Sequence, residues 1–373
     1  MKPAATVATL QPSAIRRVSD GAPPDAMPLG LGEPTWELPE PARRALAETR
    51  GICGYGLNVG LLELRTAIGA FTGVTADEVL VTNGSQEALF VMMQAWLDPG
   101  DQVLLPDPGF IAYSGIAQLV GAEVVRYELA EDDRFRLDAA AFERALVAAP
   151  RAKMALLNVP SNPTGAAGSV DALRRIADAC RVRGVVVVSD EVYRDLYLER
   201  RCASIRDVAK DAVVVASISK GFAAPGLRVG WAVGPTEVLA PAKVVHAYAT
   251  TAAARPCQLA AKALLDDAER VLAQSRAEVA RRFDALQGAL RRHLGQEARV
   301  PDGSFYYWLA LPEGAHADPF AFCLRLRDEG KVVLIPGLAF GERGRKHARL
   351  SFAAKPEQIE EGVRRMAPYW SRG

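Results

Sequence analysis

Cysteine is sparse and scattered in this chain of 373 residues: five, at positions 53, 180, 202, 257 and 323, with no CxxC pair. Histidine is scarcer still, at four. An odd, unclustered set of cysteines argues against a disulfide framework, and without a Cys/His cluster no metal site is expected. A reducing, cytoplasmic compartment fits this usage best. An excess of one charge is also missing. Lys+Arg is 45 and Asp+Glu is 44, a net charge of +1, which argues against a partner such as nucleic acid held by overall charge. Long apolar runs are lacking too. None approaches the ~18 residues that a membrane span needs, so no membrane partner is expected. The longest, such as 185–188, have the length of buried strands. Residues 1–28 have no continuous apolar stretch and carry Pro3, Pro12, Pro23, Pro24 and Pro28. They do not read as a secretory signal, and a partly disordered arm is expected there.

What is present is an alternation. Leu61, Leu64, Ile68 and Phe71 mark one helical face. Residues 79–82 read as a strand, and Ser85 is placed to cap an apolar helix that stops at Pro99-Gly100. Strands are expected over 102–105, 122–127, 154–158, 185–190, 213–218 and 229–233. Helices are expected over 110–120 and from Ser169 onward, with Leu173, Ile176, Ala177 and Cys180 on one face. Helices between apolar strands imply a mostly parallel sheet covered on both faces. After residue 235 the pattern shifts to long helices over 236–248, 257–266 and 268–293. A smaller α+β unit follows, with strands 305–311, 332–335 and 348–352 and helices 319–328 and 356–369. The expected division is 1–45 as an arm joined to the small domain, 46–265 as a large domain and 266–373 as the small domain.

Four stretches carry chemistry. Ser217-Ile218-Ser219-Lys220 follows a buried strand, and Pro225-Gly226-Leu227-Arg228 comes next. A desolvated lysine loses its proton and attacks carbonyls, and the planar fork of Arg228 suits a phosphate. Read alone, such a lysine is a solvated surface residue. In Asp190-Glu191-Val192-Tyr193, Asp190 ends an apolar strand, where open α/β sheets bind ligands. A buried carboxylate there needs a cationic partner, such as a protonated pyridine nitrogen. The plain alternative is a helix cap. Asn162-Pro163-Thr164-Gly165 also follows a strand. Asn162 offers a donor, and Pro163 is expected to fix a cis turn that aims it, or the stretch is an ordinary turn. In Thr82-Asn83-Gly84-Ser85-Gln86, a strand meets a helix start through Gly84. The free N–H groups of Ser85 and Gln86 then form an anion site, or the helix is merely capped.

Together these residues resemble the fold-type I pyridoxal-phosphate enzymes, in their class I/II aminotransferase group, from about Gly30 to the C-terminus. The resemblance implies an aspartate-aminotransferase-like fold and pyridoxal 5'-phosphate as cofactor. It places Lys220 as the residue that holds the cofactor as an imine and Asp190 on the pyridine nitrogen. Tyr193 and Asn162 fall on the ring hydroxyl. Gly84, Ser85, Gln86, Ser217, Ser219 and Arg228 fall in the phosphate cup, and Phe110 stacks on the ring. Tyr55 matches a tyrosine that reaches the neighbouring subunit's cofactor phosphate, which implies a homodimer with shared sites. Arg349 matches the clamp on the substrate α-carboxylate, and Gly32 the segment that closes over it.

The implied reaction moves an amino group between an L-amino acid and a 2-oxo acid in two half-reactions. No second cation stands where related branches bind a distal carboxylate: Gln86 takes the place of a lysine, and Ala249, Thr250 and Thr251 stand where another branch has an arginine. Trp36, Tyr55, Phe110 and Phe340 suggest an apolar pocket, so neutral or aromatic donors are expected. Carbon–sulfur β-lyases, synthases and cyclases share the scaffold and form the alternative.

Overall fold

The structure is a computed structural model, and it describes residues 3–8, 10–51 and 53–371. Its larger sheet has seven strands: β1 (Val79–Thr82), β2 (Gln102–Asp107), β3 (Glu123–Glu128), β4 (Ala152–Asn158), β5 (Val186–Asp190), β6 (Val213–Ser217) and β7 (Gly230–Val233). Their order is β1-β7-β6-β5-β4-β2-β3. All pairings are parallel except the two made by β7, which runs antiparallel to both β1 and β6. The sequence dictates this core directly. Residues such as Val213, Val214 and Val215 are β-branched and apolar on both sides of the chain, so they suit a sheet buried on both faces.

Helices cover those faces. Leu80, Met154, Leu156, Val188, Val213, Val215 and Ala232 pack with residues of the helices Ser85–Trp96 and Thr236–Thr250. On the opposite face, Leu157, Val187 and Val214 meet the helices Ala139–Val147 and Val170–Arg183. Val79, Val81 and Trp231 meet Leu62–Thr72 and Arg255–Asp266. Register lines up the sheet's working edge. Asn158 pairs with Asp190, and Gly230 pairs with both Thr82 and Ser217. The ends of β1, β4, β5 and β6 thus reach one edge together with the start of β7.

The second sheet is small and antiparallel: β8 (Tyr306–Ala310), β9 (Ile335–Pro336) and β10 (His347–Ser351), in the order β8-β10-β9. It packs with the 27-residue helix Ala268–Leu294 and with Pro356–Trp370 through Phe283, Leu286, Leu290, Ile359 and Val363. β9 is shorter than expected. Val332 bridges to Met27 and Val333 donates to the Met27 carbonyl, so these two residues pair with the N-terminal segment instead of β10. Two further corrections concern the first 48 residues. A helix forms at Glu40–Glu48, and residues 14–28 are not a free arm: Ala14–Ser19 is a helix whose Val18 is fully buried with Val333, Ile335 and Phe340. A six-residue helix is marginal by itself. Burying one such side chain contributes about 1.5–3 kcal/mol, which accounts for its docking. Among the described residues, no helix is long and apolar enough to cross a membrane.

Candidate active site

Lys220 lies three residues beyond β6, and its ammonium donates to the Gly32 carbonyl at 2.6 Å. Its Nζ also faces the rings of Tyr193 and Phe305, at 5.8 and 5.9 Å from their centroids. Burial lowers its pKa, and the charges of Arg349 and Arg228 push the same way against Tyr306 and Glu33. A neutral amine is thereby brought closer to physiological pH.

Asp190 ends β5 at 5% exposure. Its carboxylate accepts from the Tyr113 hydroxyl at 2.8 Å and from the Val192 N–H at 3.3 Å. Burial pushes it up to about 6 nonetheless, with those donors and Lys220 opposing. The Tyr193 hydroxyl lies 3.0 Å from that of Tyr306.

Arg349, on β10, is 2% exposed and ties the small sheet to the turn that follows β4. It donates to Asn162 Oδ1 at 2.9 Å and to the Gly30 carbonyl at 2.7 Å. Tyr306 and Phe340 flank its guanidinium, with centroids at 4.4 and 4.9 Å. Its Nε is buried with no partner among the described residues, so one donor of a rigid fork is left over for an anion. The segment over this pair admits no side chain at Gly32, where a Cβ would sit 1.7 Å from the Tyr306 hydroxyl.

The anion cup forms at the line of β1, β7 and β6. Gly84 takes φ +81° and is the cap of the helix Ser85–Trp96, so Ser85 is its first residue and not its cap. A side chain at Gly84 would meet the Arg228 guanidinium at 2.3 Å, and one at Gly230 would meet the Ser85 nitrogen at 2.4 Å. Arg228 itself has φ +53° and donates to the carbonyls of Pro225 and Asn83. Ser217 and Ser219 are buried beside this turn, with the Ser219 N–H on the Ser217 hydroxyl. Gln86 is exposed on the first helical turn.

This arrangement has counterparts in known proteins. A model of the family described as "Aminotransferase class I and II" matches residues 24–366. An aspartate/prephenate aminotransferase of Thermus thermophilus is 34% identical over 98% of this chain and 96% of its own. Among solved structures, the aspartate aminotransferase from Thermus thermophilus with maleate superposes with a TM-score of 0.89, at 31% identity over 99% of this chain and all of its own. An aromatic aminotransferase from Pyrococcus horikoshii OT3 gives 0.84, at 29% identity over 96% of this chain and 98% of its own. The chain belongs to the class I and II aminotransferase family.

An aminotransferase of this family works with pyridoxal phosphate, and the residues present fit that group. Gly84 and Gly230 keep clear the space beside Arg228 and the helix start, which is the cradle a phosphate needs. Asp190 is a buried carboxyl that has no cation in hydrogen-bond contact among the described residues, which a protonated ring nitrogen would supply. Phe110 is half-buried and meets Tyr113 edge-on at 5.5 Å, so a ring contact is open to it.

One expectation needs correction. Pro163 is not preceded by a cis bond; the cis peptides are Asp107–Pro108 and Val159–Pro160. Asn162 is aimed by Asn158 instead, whose Oδ1 accepts from the Asn162 N–H at 2.6 Å while its amide donates to the Asp190 carbonyl. Tyr55, expected at the neighbouring subunit's phosphate, is 80% exposed in this chain, with no hydrogen bond among the described residues. Tyr113, Tyr306 and Asn158 join the site beyond the sequence expectations. Asn158 had a local signal, since it ends a strand four residues before Asn162. Tyr113 stands one helical turn after Phe110, and Tyr306 had no such signal.

Proposed function

We propose that this aminotransferase moves the amino group of a neutral or aromatic L-amino acid to a 2-oxo acid in two alternating half-reactions. The observation that carries the reading is the placement of Lys220 and Arg349 against one short segment: they hold the carbonyls of Gly32 and Gly30, and Arg349 keeps a buried N–H that has no partner among the described residues. A substrate carboxylate on Arg349 puts its α carbon toward Lys220. Tyr306 and Phe340 wall that position with rings, and the face they offer favours an apolar side chain over a second carboxylate.

The residues then divide the work. When bound, pyridoxal phosphate supplies the electron sink that makes an α C–H acidic. Arg228, Ser85, Gln86, Ser217 and Ser219 would hold its phosphate, with Gly84 giving them room, and Asp190 would hold its ring N–H. Tyr193 and Asn162 would donate to its ring oxygen, and Phe110 would cover its ring. Lys220, with its lowered pKa, would take the proton from the substrate α carbon on Nζ and hand the same proton to the cofactor carbon that bears the exchanged nitrogen. The segment of Gly32 shuts water out while it does so. Amino donor and oxo-acid acceptor use the same Arg349 in turn, which gives a double-displacement rate law.

We infer further that the enzyme is a homodimer in which Tyr55 of one chain reaches the cofactor phosphate of the other. The expected division into 1–45, 46–265 and 266–373 is kept as a proposal, and the docked helix Ala14–Ser19 supports joining the arm to the last part. The test is a donor panel on the purified holoenzyme with 2-oxoglutarate. L-Phenylalanine or L-leucine is expected to exceed L-aspartate in kcat/KM by about tenfold or more, the scale of a few apolar pocket contacts. The reverse order overturns the preference. Pyruvate and ammonia released from a cysteine conjugate without any oxo acid overturn transamination itself.

A further inference from the structure

A cavity of about 690 Å³ opens on the unit built around the small sheet, between the helices Pro319–Asp328 and Pro356–Trp370. It shares no lining residue with the site of Lys220. Two of its walls are the rings of Phe322 and Tyr369, and the guanidinium carbon of Arg325 lies 5.8 Å from the centroid of each. Neighbouring arginines are engaged: Arg327 pairs with Asp328, and Arg365 with Glu361. The Arg325 guanidinium has no carboxylate and no hydrogen-bond partner among the described residues. Lys331 and Arg365 add positive charge to the lining, against Asp25 and Glu329. An unpaired planar fork between aromatic rings, in a lining of net positive charge, is the chemistry that recognises a small carboxylate on a flat apolar body.

The cavity also stands at the root of the segment that covers the active site. Arg365 holds the Asp25 carbonyl at 3.0 Å, and the Met27 N–H donates to the Lys331 carbonyl at 2.8 Å. The ladder continues without a break. Val333 donates to Met27, Ser351 to Leu29, Arg349 to Gly30 and Lys220 to Gly32. Lys331 itself has φ +56°, a sparsely populated conformation for a residue with a side chain. A ligand that touches Asp25 or Lys331 therefore pulls on the same backbone that Arg349 and Lys220 hold.

We propose that this cavity is an effector site for a small aromatic carboxylate, and that its occupation shifts residues 25–32 against Arg349 and Lys220. The binding half stands by itself; the coupling half rests on the functional reading of Arg349 and Lys220. The probe is benzoate, titrated by calorimetry into the holoenzyme of the wild type and of Arg325→Ala. Arg325 is exposed, its guanidinium makes no hydrogen bond among the described residues, and its one capping bond, from the Glu329 N–H, is to the backbone, so the variant is expected to retain the fold. The wild type is expected to take up one more equivalent per chain than Arg325→Ala, or to bind that equivalent at least tenfold more tightly. Equal uptake at equal affinity, whether of none or of one, overturns the site. For the coupling, KM for the amino donor is measured with and without benzoate in both proteins. Competition at Arg349 raises KM equally in both, whereas the effector contribution is the part that Arg325→Ala removes. Identical KM changes overturn the coupling. Absence of any transamination would strike the functional reading and leave the calorimetric result standing.

Discussion

Asp190 and Glu191 are adjacent carboxyls at the edge of β5, and burial raises both: Asp190 to about 6 and Glu191 to about 7. Their partners differ. Asp190 accepts from Tyr113, while Glu191 accepts from the Ser204 hydroxyl and the Ile205 N–H and lies 3.7 Å from Arg194. The sign of the linkage follows. A carboxyl whose folded pKa exceeds its unfolded one binds more protons when folded, so it favours folding at low pH and the benefit is lost as pH rises through the folded pKa. For Glu191 the window runs from about 4.5 to about 7, worth about 3 kcal/mol at most. The part of the melting temperature that Glu191 contributes in the cofactor-free enzyme is therefore expected to fall between about pH 4.5 and about pH 7, read as the difference between wild type and Glu191→Gln, while His347, which burial lowers to about 4, acts in the opposite sense in both proteins. Glu191→Gln should flatten that fall, because an amide oxygen still accepts from Ser204 and Ile205 and does not ionise. Parallel curves for variant and wild type would show that Arg194 already keeps Glu191 charged. At Lys220, the proposed proton carrier, Lys220→Ala should keep the far-ultraviolet circular dichroism spectrum and lose activity by roughly 10²–10⁴-fold or more. Retention of normal turnover would assign the proton transfer elsewhere.

At the scale of elements, what the sequence discloses depends on how local the cause is. β2, β4, β5 and β6 are legible because helices cover both faces, so each strand is a continuous apolar run. The direction of β7 is not legible, since an apolar run of four or five residues looks the same either way. The helix Ala139–Val147 has a good cap in Asp138, which accepts from Ala140 and Ala141, yet its large apolar residues are few and its period is faint. The site divides in the same way. Lys220, Asp190, Asn162 and Arg228 sit in short runs whose chemistry is local. The bond from Tyr113 to Asp190 spans 77 positions and the contact of Tyr193 with Tyr306 spans 113, and no local spacing encodes either. Close approach of β7 to the helix start is similarly non-local, and it yields a prediction. A Cβ at Gly230 would lie 2.4 Å from the Ser85 nitrogen and 2.5 Å from the Gly84 carbonyl carbon, so backbone must move. Gly230→Ala should cost about 1–3 kcal/mol of stability by overpacking. Because the displaced atoms are those of the anion cup, it should also weaken pyridoxal phosphate more than pyridoxal. Equal loss of both ligands, measured by absorbance titration, would place the cup elsewhere.

At the scale of the molecule, the exposed apolar residues point outward for a reason. Tyr55, Leu57 and Tyr248 are 80%, 55% and 91% exposed, and Asn58 donates to the Thr251 carbonyl, which ties their two segments together beside the anion cup. Thr250 also accepts from Asn83, one residue before Gly84. Exposed apolar groups gathered in one place mark an interaction surface, and a second copy of the chain is the proposed occupant. If Tyr55 crosses to the partner's cofactor phosphate, each site needs both chains. A heterodimer of Tyr55→Phe with Lys220→Ala then contains one site with both defects and one with neither. Its activity per dimer should be about half that of the wild type. Tyr55→Phe must first be impaired as a homodimer, and one hydrogen bond to a charged group, worth about 1.5–3 kcal/mol, is enough for that. Subunits are exchanged in mild denaturant and the heterodimer is isolated through two different tags. Activity equal to half that of the Tyr55→Phe homodimer would mean that the tyrosine serves its own chain's site. The high exposure of Tyr55 within one chain argues for the first result, because a side chain that served its own site would be drawn in toward Arg228.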